Sequence, residues 1–189
     1  SSRPCELIPG GAAQRRRGTS KITMRSKKQV VWLSHSAKAT KNIGRKIGHF
    51  LRNGDVVALF GDLGAGKTTL VKGIARGLSV KKESQVTSPT FMLIHEYKGR
   101  HKIFHMDWYR LDSLKGADRE LADECFHSQA ITLVEWADRG KKILPKEYLR
   151  IDLQHRGPGA RRISLSAKGR AQTFLSLFKQ NKKRKTEIS

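Results

Sequence analysis

The sequence predicts an α/β fold, a mixed parallel and antiparallel sheet with flanking helices. Three observations predict it. Val56-Val57-Ala58-Leu59-Phe60 is a short uninterrupted apolar run, the pattern of a strand buried on both faces. A glycine-rich turn leads from it directly into a helical stretch, forming a β-turn-α unit. Further along, apolar segments pair up across short turns as hairpins, so part of the sheet must be antiparallel.

Taken in order, Gln29 to Leu33 reads as a strand, and Ser34 or Ser36 can cap the helix after it. Ile43, Ile47, Phe50 and Leu51 fall at i, i+4, i+7 and i+8, one face of that helix, which Asn53-Gly54 ends. After the strand at 56–60 and its turn, a second helix runs from Lys67 to Arg76, with Gly77 closing it. Thr90 to Tyr97 and Lys102 to Met106 read as strands joined by a turn at 98–101. A charged helical stretch covers 117–126, and Ile131 to Val134 is another apolar strand. Leu144-Pro145 breaks the chain. Leu149 to Leu153 and Arg162 to Leu165 read as strands around the loop Gly157-Pro158-Gly159. Phe174, Leu175, Leu177 and Phe178 mark a final helix, and no internal repeat is visible.

The turn after the apolar strand carries the chemistry. Gly61-Asp62-Leu63-Gly64-Ala65-Gly66-Lys67-Thr68 matches G-x-x-x-x-G-K-[ST] at every required position, between a strand and a helix. Glycines let several backbone N–H groups converge on phosphate oxygens at a helix N-terminus. Lys67 adds a mobile positive charge for the β- and γ-phosphates, the Thr68 hydroxyl can ligate Mg2+ beside them, and Thr69 adds a second hydroxyl. Hydrolysis needs acids as well. Two strands end in them, at Asp107 and Glu135, and a strand-end carboxylate faces the crevice where ligands bind an α/β sheet. Either can hold Mg2+ or orient water.

Charge organises the rest of the 189 residues. Lys and Arg total 39 against 16 Asp and Glu, a net charge of +23. Residues 1–28 hold eight basic residues and one Glu, and 179–189 hold five and one. The expected organisation is a basic, disordered leader at 1–28, a P-loop domain at 29–178 and a basic tail at 179–189. The leader lacks the amphipathicity of a transit peptide, and Met24 is a candidate natural start. No run approaches 18 apolar residues, so no transmembrane helix and no membrane partner are expected. Cys5 and Cys125 form neither a disulfide framework nor a zinc site, which fits a reducing, cytoplasmic setting. The positive field attracts polyanions. Aromatic residues are only 7% of the chain, however, and no nucleic-acid-binding motif is present.

Together these motifs resemble the TsaE (YjeE) family, the ATPase of bacterial tRNA threonylcarbamoyladenosine biosynthesis, from about Val30 to Leu165. Residues 61–69 are similar to its P-loop, and Val86-Thr87-Ser88-Pro89-Thr90-Phe91 to its switch segment. His105-Met106-Asp107-Trp108-Tyr109-Arg110 matches H-x-D-x-Y-R, and Leu133-Val134-Glu135-Trp136 its Walker-B-like E-W motif. The resemblance implies that Leu63, Gly64, Ala65, Gly66, Lys67 and Thr68 bind the ATP phosphates, and that Thr68 and Glu135 serve Mg2+. It implies that Asp107 lies in the same network and orients water, that Thr90 senses the γ-phosphate, and that Thr40 lies close to the base. Trp136 would sit beside the site, although Trp136 and Trp108 suit plain core packing equally well. Arg161 could face the phosphates, but solvent exposure is the reading its position after a loop favours. Residues 115–129 fit the family's acidic helical segment only loosely.

The implied activity is slow ATP hydrolysis to ADP and phosphate that resets a complex of TsaD-like and TsaB-like proteins between rounds of modification at adenosine 37 of tRNA. Two alternatives stay open from the residues alone. One is a P-loop kinase of a small acceptor, although no Arg-rich lid is evident beyond Arg156 to Arg162. The other is a basic tRNA-binding protein in which ATP is secondary.

Overall fold

The computed structural model describes residues 29–81, 83–89, 94–110, 115–176 and 178. In chain order the elements are β1 (Gln29–Ser34), α1 (Ala37–Gly48), β2 (Val56–Phe60), α2 (Lys67–Gly77), β3 (Ile94–Lys98), β4 (Lys102–Asp107), α3 (Ala117–His127), β5 (Ile131–Glu135), β6 (Tyr148–His155) and β7 (Arg161–Lys168). The seven strands form one sheet in the order β1-β7-β6-β2-β5-β4-β3. β2 runs parallel to β5 and β6, and β4 parallel to β5. The pairs β1–β7, β6–β7 and β3–β4 are antiparallel. The sheet is therefore mixed, with a parallel centre and antiparallel margins.

Every residue of the central strands β2 and β5 is buried, because helices cover both faces. The pleat sends alternate side chains to opposite layers. Val57 and Leu59 of β2 join a core with Ile43 and Ile47 of α1 and Leu70 and Ile74 of α2. Val56, Ala58 and Phe60 join a second core with Ala122, Cys125 and Phe126 of α3. Burial pushes the free Cys125 thiol up to about 11, so it is an inert core group.

Ser36, rather than Ser34, caps α1: its side chain accepts from the Ala39 N–H at 3.0 Å. The Ser34 hydroxyl instead lies 2.8 Å from that of Thr40. The two helices on this face approach backbone to backbone through Gly44 and Gly48 of α1 and Gly73 and Gly77 of α2. A Cβ at Gly44 would collide with the Leu70 carbonyl oxygen, and one at Gly73 with that of Lys41. This close seam fixes α2, and with it the turn that precedes α2.

Helical residues 172–176 and 178 close the end of the sheet. Phe178 packs edge-on against Trp32 at 5.7 Å and against Phe50 at 5.1 Å between ring centroids. The leader at 1–28, the tail at 179–189, Leu177 and the strand start expected at 90–93 lie outside the described residues. Among the described residues no helix is long and apolar enough to cross a membrane.

Candidate functional site

β2 delivers the chain to the turn at 61–66, and Gly66 then starts α2 in the left-handed conformation at φ +98. A residue with a side chain is strained at that angle, which explains the glycine. Gly66 has no side chain to cap α2, so the helix N-terminus opens on a pocket of about 400 Å³. Lys67, Thr68 and Thr69 line its floor beside Gly64 and Gly66, with Leu63 at the exposed lip. Ser88, Asp107, Tyr109, Glu135 and Trp136 complete the wall.

Parallel pairing of β4 with β5 sets the two acids level, Asp107 opposite Glu135. Neither strand alone dictates that; the register does. Thr68 Oγ1 donates to Glu135 Oε2 at 2.9 Å, joining the P-loop helix to the end of β5. The other Glu135 oxygen lies 2.9 Å from His105 Nε2, and both side chains are buried. Asp107 accepts from the Tyr109 N–H at 2.8 Å and from the Ser88 hydroxyl.

Lys67 Nζ folds back onto the turn. It donates to the carbonyls of Gly61 at 2.7 Å and Asp62 at 2.9 Å, and sits 3.6 Å from the centroid of the Trp136 ring. Burial lowers its pKa, while the carboxylates of Glu135, Asp107, Asp138 and Asp62 act in the opposite direction. The two tryptophans separate here. Trp108 is fully buried and packs edge-on with Phe126 in the α3-side core. Trp136, at φ +56, turns its ring into the pocket between Lys67 and Tyr109, whose ring lies 4.7 Å away.

The structure brings Leu63, Gly64, Gly66, Lys67, Thr68, Thr69, Asp107 and Glu135 together around one space. Ala65 does not line it; its side chain is buried in the α1–α2 core. Thr40 does not line it either. Its hydroxyl donates to the Ser36 carbonyl at 3.1 Å and accepts from Arg161 Nη1 at 3.0 Å. Arg161 is the correction here, because the sequence suggests an exposed residue. Pairing of β7 with β1 sets Arg161 opposite Ser34, so its side chain lies against Gly66 with Nε buried and without a hydrogen-bond partner among the described residues. Thr90 lies outside the described residues. Ser88 and Tyr109 were not singled out by sequence reasoning, although both sit inside the motifs that carry Thr90 and Asp107.

Among the described residues no group of three or more His, Cys, Asp or Glu side chains could hold a metal ion on its own. The pocket instead offers hard oxygen donors, the Thr68 hydroxyl with Glu135 and Asp107. That set fits Mg2+ shared with phosphate oxygens, which binds through few protein ligands.

A glycine-rich strand-to-helix turn, a buried lysine and two level acids sit together on a mixed α/β sheet of P-loop NTPase-like fold. The family model of threonylcarbamoyl adenosine biosynthesis protein TsaE matches residues 34–163, and the chain belongs to that family. It is 42% identical over 149 residues to the tRNA threonylcarbamoyladenosine biosynthesis protein TsaE of Bacillus subtilis, covering 78% of this chain and 92% of the relative. The protein of the same name from Treponema pallidum is 40% identical, with 71% and 98% covered. The structure is also similar to the crystal structure of Bacillus subtilis YdiB, with a TM-score of 0.67, 37% identity, and 82% of this chain and 97% of that chain covered.

Proposed function

We propose that this protein is the accessory ATPase of tRNA threonylcarbamoyladenosine formation, hydrolysing ATP to ADP and phosphate with Mg2+. The observation that carries the reading is the bond between Thr68 and Glu135 beside Lys67, all within one pocket. Phosphoryl transfer asks a protein for positioning and charge stabilisation rather than covalent chemistry, and these are the groups for it. When bound, Mg2+ would neutralise charge on the phosphate oxygens.

Each residue has a defined task in this reading. The turn at 63–66 would wrap the phosphates with backbone N–H groups. Lys67 would exchange its bonds to the Gly61 and Asp62 carbonyls for phosphate oxygens, since those carbonyls hold it only weakly against an anion. Thr68 and Glu135, with Asp107, would hold the metal, and Asp107, whose carboxylate accepts from the Tyr109 N–H and the Ser88 hydroxyl, would orient the attacking water. Thr69 would line the nucleotide, with Thr90 toward the γ-phosphate and Thr40 on the base side. Trp136 would close one wall beside Lys67.

The membership in the TsaE family supports a place in tRNA threonylcarbamoyladenosine biosynthesis. There the protein would act in the cytoplasm on a complex of TsaD-like and TsaB-like proteins, meeting tRNA directly or through that complex, and would turn over slowly without them. Phosphate release with Mg2+ tests the reading, for the parent and for Glu135→Gln, each alone and with the two partners. Loss of the carboxylate lowers the rate about 10–100-fold. Equal rates would overturn the role of Glu135, and no release in any mixture would overturn the ATPase reading itself.

A further inference from the structure

Behind the pocket, a chain of hydrogen bonds leaves Glu135 and returns to the site from another side. Glu135 Oε1 meets His105 Nε2 at 2.9 Å, and His105 Nδ1 lies 3.3 Å from the Tyr97 hydroxyl. That hydroxyl also lies 3.2 Å from the Thr87 carbonyl. Thr87 precedes Ser88, which lines the pocket and donates to Asp107. The link therefore joins the two carboxylates of the site through β5, β4, β3 and the segment 86–89. His105 and Tyr97 touch no residue of the pocket other than Glu135 by these bonds, so neither is explained by phosphate binding.

Proton counting makes the link selective. A carboxylate only accepts, so a His105 ring that carries one proton presents it at Nε2, and its Nδ1 then carries a lone pair. Tyr97 has one hydroxyl proton and faces two acceptors, the Thr87 carbonyl and His105 Nδ1. It can serve one fully or share between them. His95 Nδ1, 3.3 Å from the same hydroxyl, can act as a donor to the Tyr97 oxygen and leaves that choice intact. Tyr97 and His105 are buried, so water does not supply the missing partner.

We propose that Tyr97 and His105 are positioning residues that couple the segment 86–89 to Glu135, with the single Tyr97 hydroxyl proton shared between the Thr87 carbonyl and His105. When the segment holds the proton, His105 loses its acceptor contact with Tyr97 and Glu135 loses support behind it. When His105 holds it, the segment is released from β3. The inference rests on reading Glu135 as the metal-side acid, but the coupling belongs to the protein without nucleotide and is measurable there.

Amide hydrogen exchange of the peptide 84–89 in the nucleotide-free full chain tests it. Tyr97→Phe keeps the ring and removes the proton, so exchange in the peptide becomes faster, about fivefold for one lost hydrogen bond. His105→Leu removes the ring acceptor facing Tyr97, so the proton falls to Thr87 and exchange becomes slower. Adding Tyr97→Phe to His105→Leu restores fast exchange. Glu135→Gln tests the link from its other end. The amide oxygen takes the Thr68 proton, its NH2 faces His105 and moves the ring proton to Nδ1, and exchange again slows. Opposite signs for Tyr97→Phe and for the other two variants support the proposal. Faster exchange in all of them means that the residues only hold the sheet together, and no change in any means that there is no link. Either result overturns it, whether or not the protein hydrolyses ATP.

Discussion

Lys67 is held ready rather than committed. Two backbone carbonyls and the Trp136 ring keep it in the pocket, and burial lowers its pKa. A polyphosphate beside it acts the other way and raises the pKa. The bound value therefore exceeds the free one, and nucleotide binding takes up a proton between the two. Affinity falls as pH rises through the ligand-free pKa of Lys67. Titration calorimetry in buffers of different ionisation enthalpy reads this proton uptake directly; a heat independent of buffer across the alkaline range contradicts it. The turn into α2 was legible because it is local: spacing alone places Lys67 and Thr68 at the start of a helix. The roles of Trp108 and Trp136 were not, since one faces the core, and the other turns into the pocket only through its own positive φ just after β5. Arg161 misled for a related reason. A basic residue after a loop reads as solvated, and only its place opposite Ser34 brings it against the P-loop.

At the scale of elements, the seam between α1 and α2 decides how firmly the P-loop is held. Two glycines spaced four apart on each helix allow the backbones to touch. Gly73→Ala inserts a methyl against the Lys41 backbone, which is not the end of a flexible side chain and cannot swing away. Overpacking of this kind costs about 1–3 kcal/mol, which lowers the melting temperature by at least about 2 °C. Thermal unfolding followed by circular dichroism measures it, and an unchanged midpoint would show that the helices can part freely. The apolar face of α1 was visible in the sequence, as were the central strands. The glycine seam was not, because glycine reads first as a helix terminator, and Gly77 does stand at the last position of α2. The pairing of β4 with β5 that levels Asp107 and Glu135 was also beyond the sequence, since register is fixed by packing on both faces of a buried strand.

At the scale of the whole molecule, the net charge of +23 stands apart from the pocket, where buried acids face a single buried lysine. Charge of this kind governs encounter with polyanions rather than chemistry at a site. If the basic ends reach tRNA, its affinity falls steeply with salt, and deletion of 179–189, with its five basic residues, flattens the log–log slope by up to about 4. A salt-insensitive isotherm, or none, removes tRNA as a direct partner and leaves the protein partners alone. The central claim is that the pocket between α2 and the ends of β4 and β5 takes Mg-ATP through Lys67, and calorimetric titration of Mg-ATP into the parent and into Lys67→Ala tests it most directly. The account predicts saturable one-to-one binding by the parent and a loss of about 10–100-fold in affinity for Lys67→Ala, the worth of its charge-assisted hydrogen bonds. Equal affinity of the two proteins for Mg-ATP would contradict it.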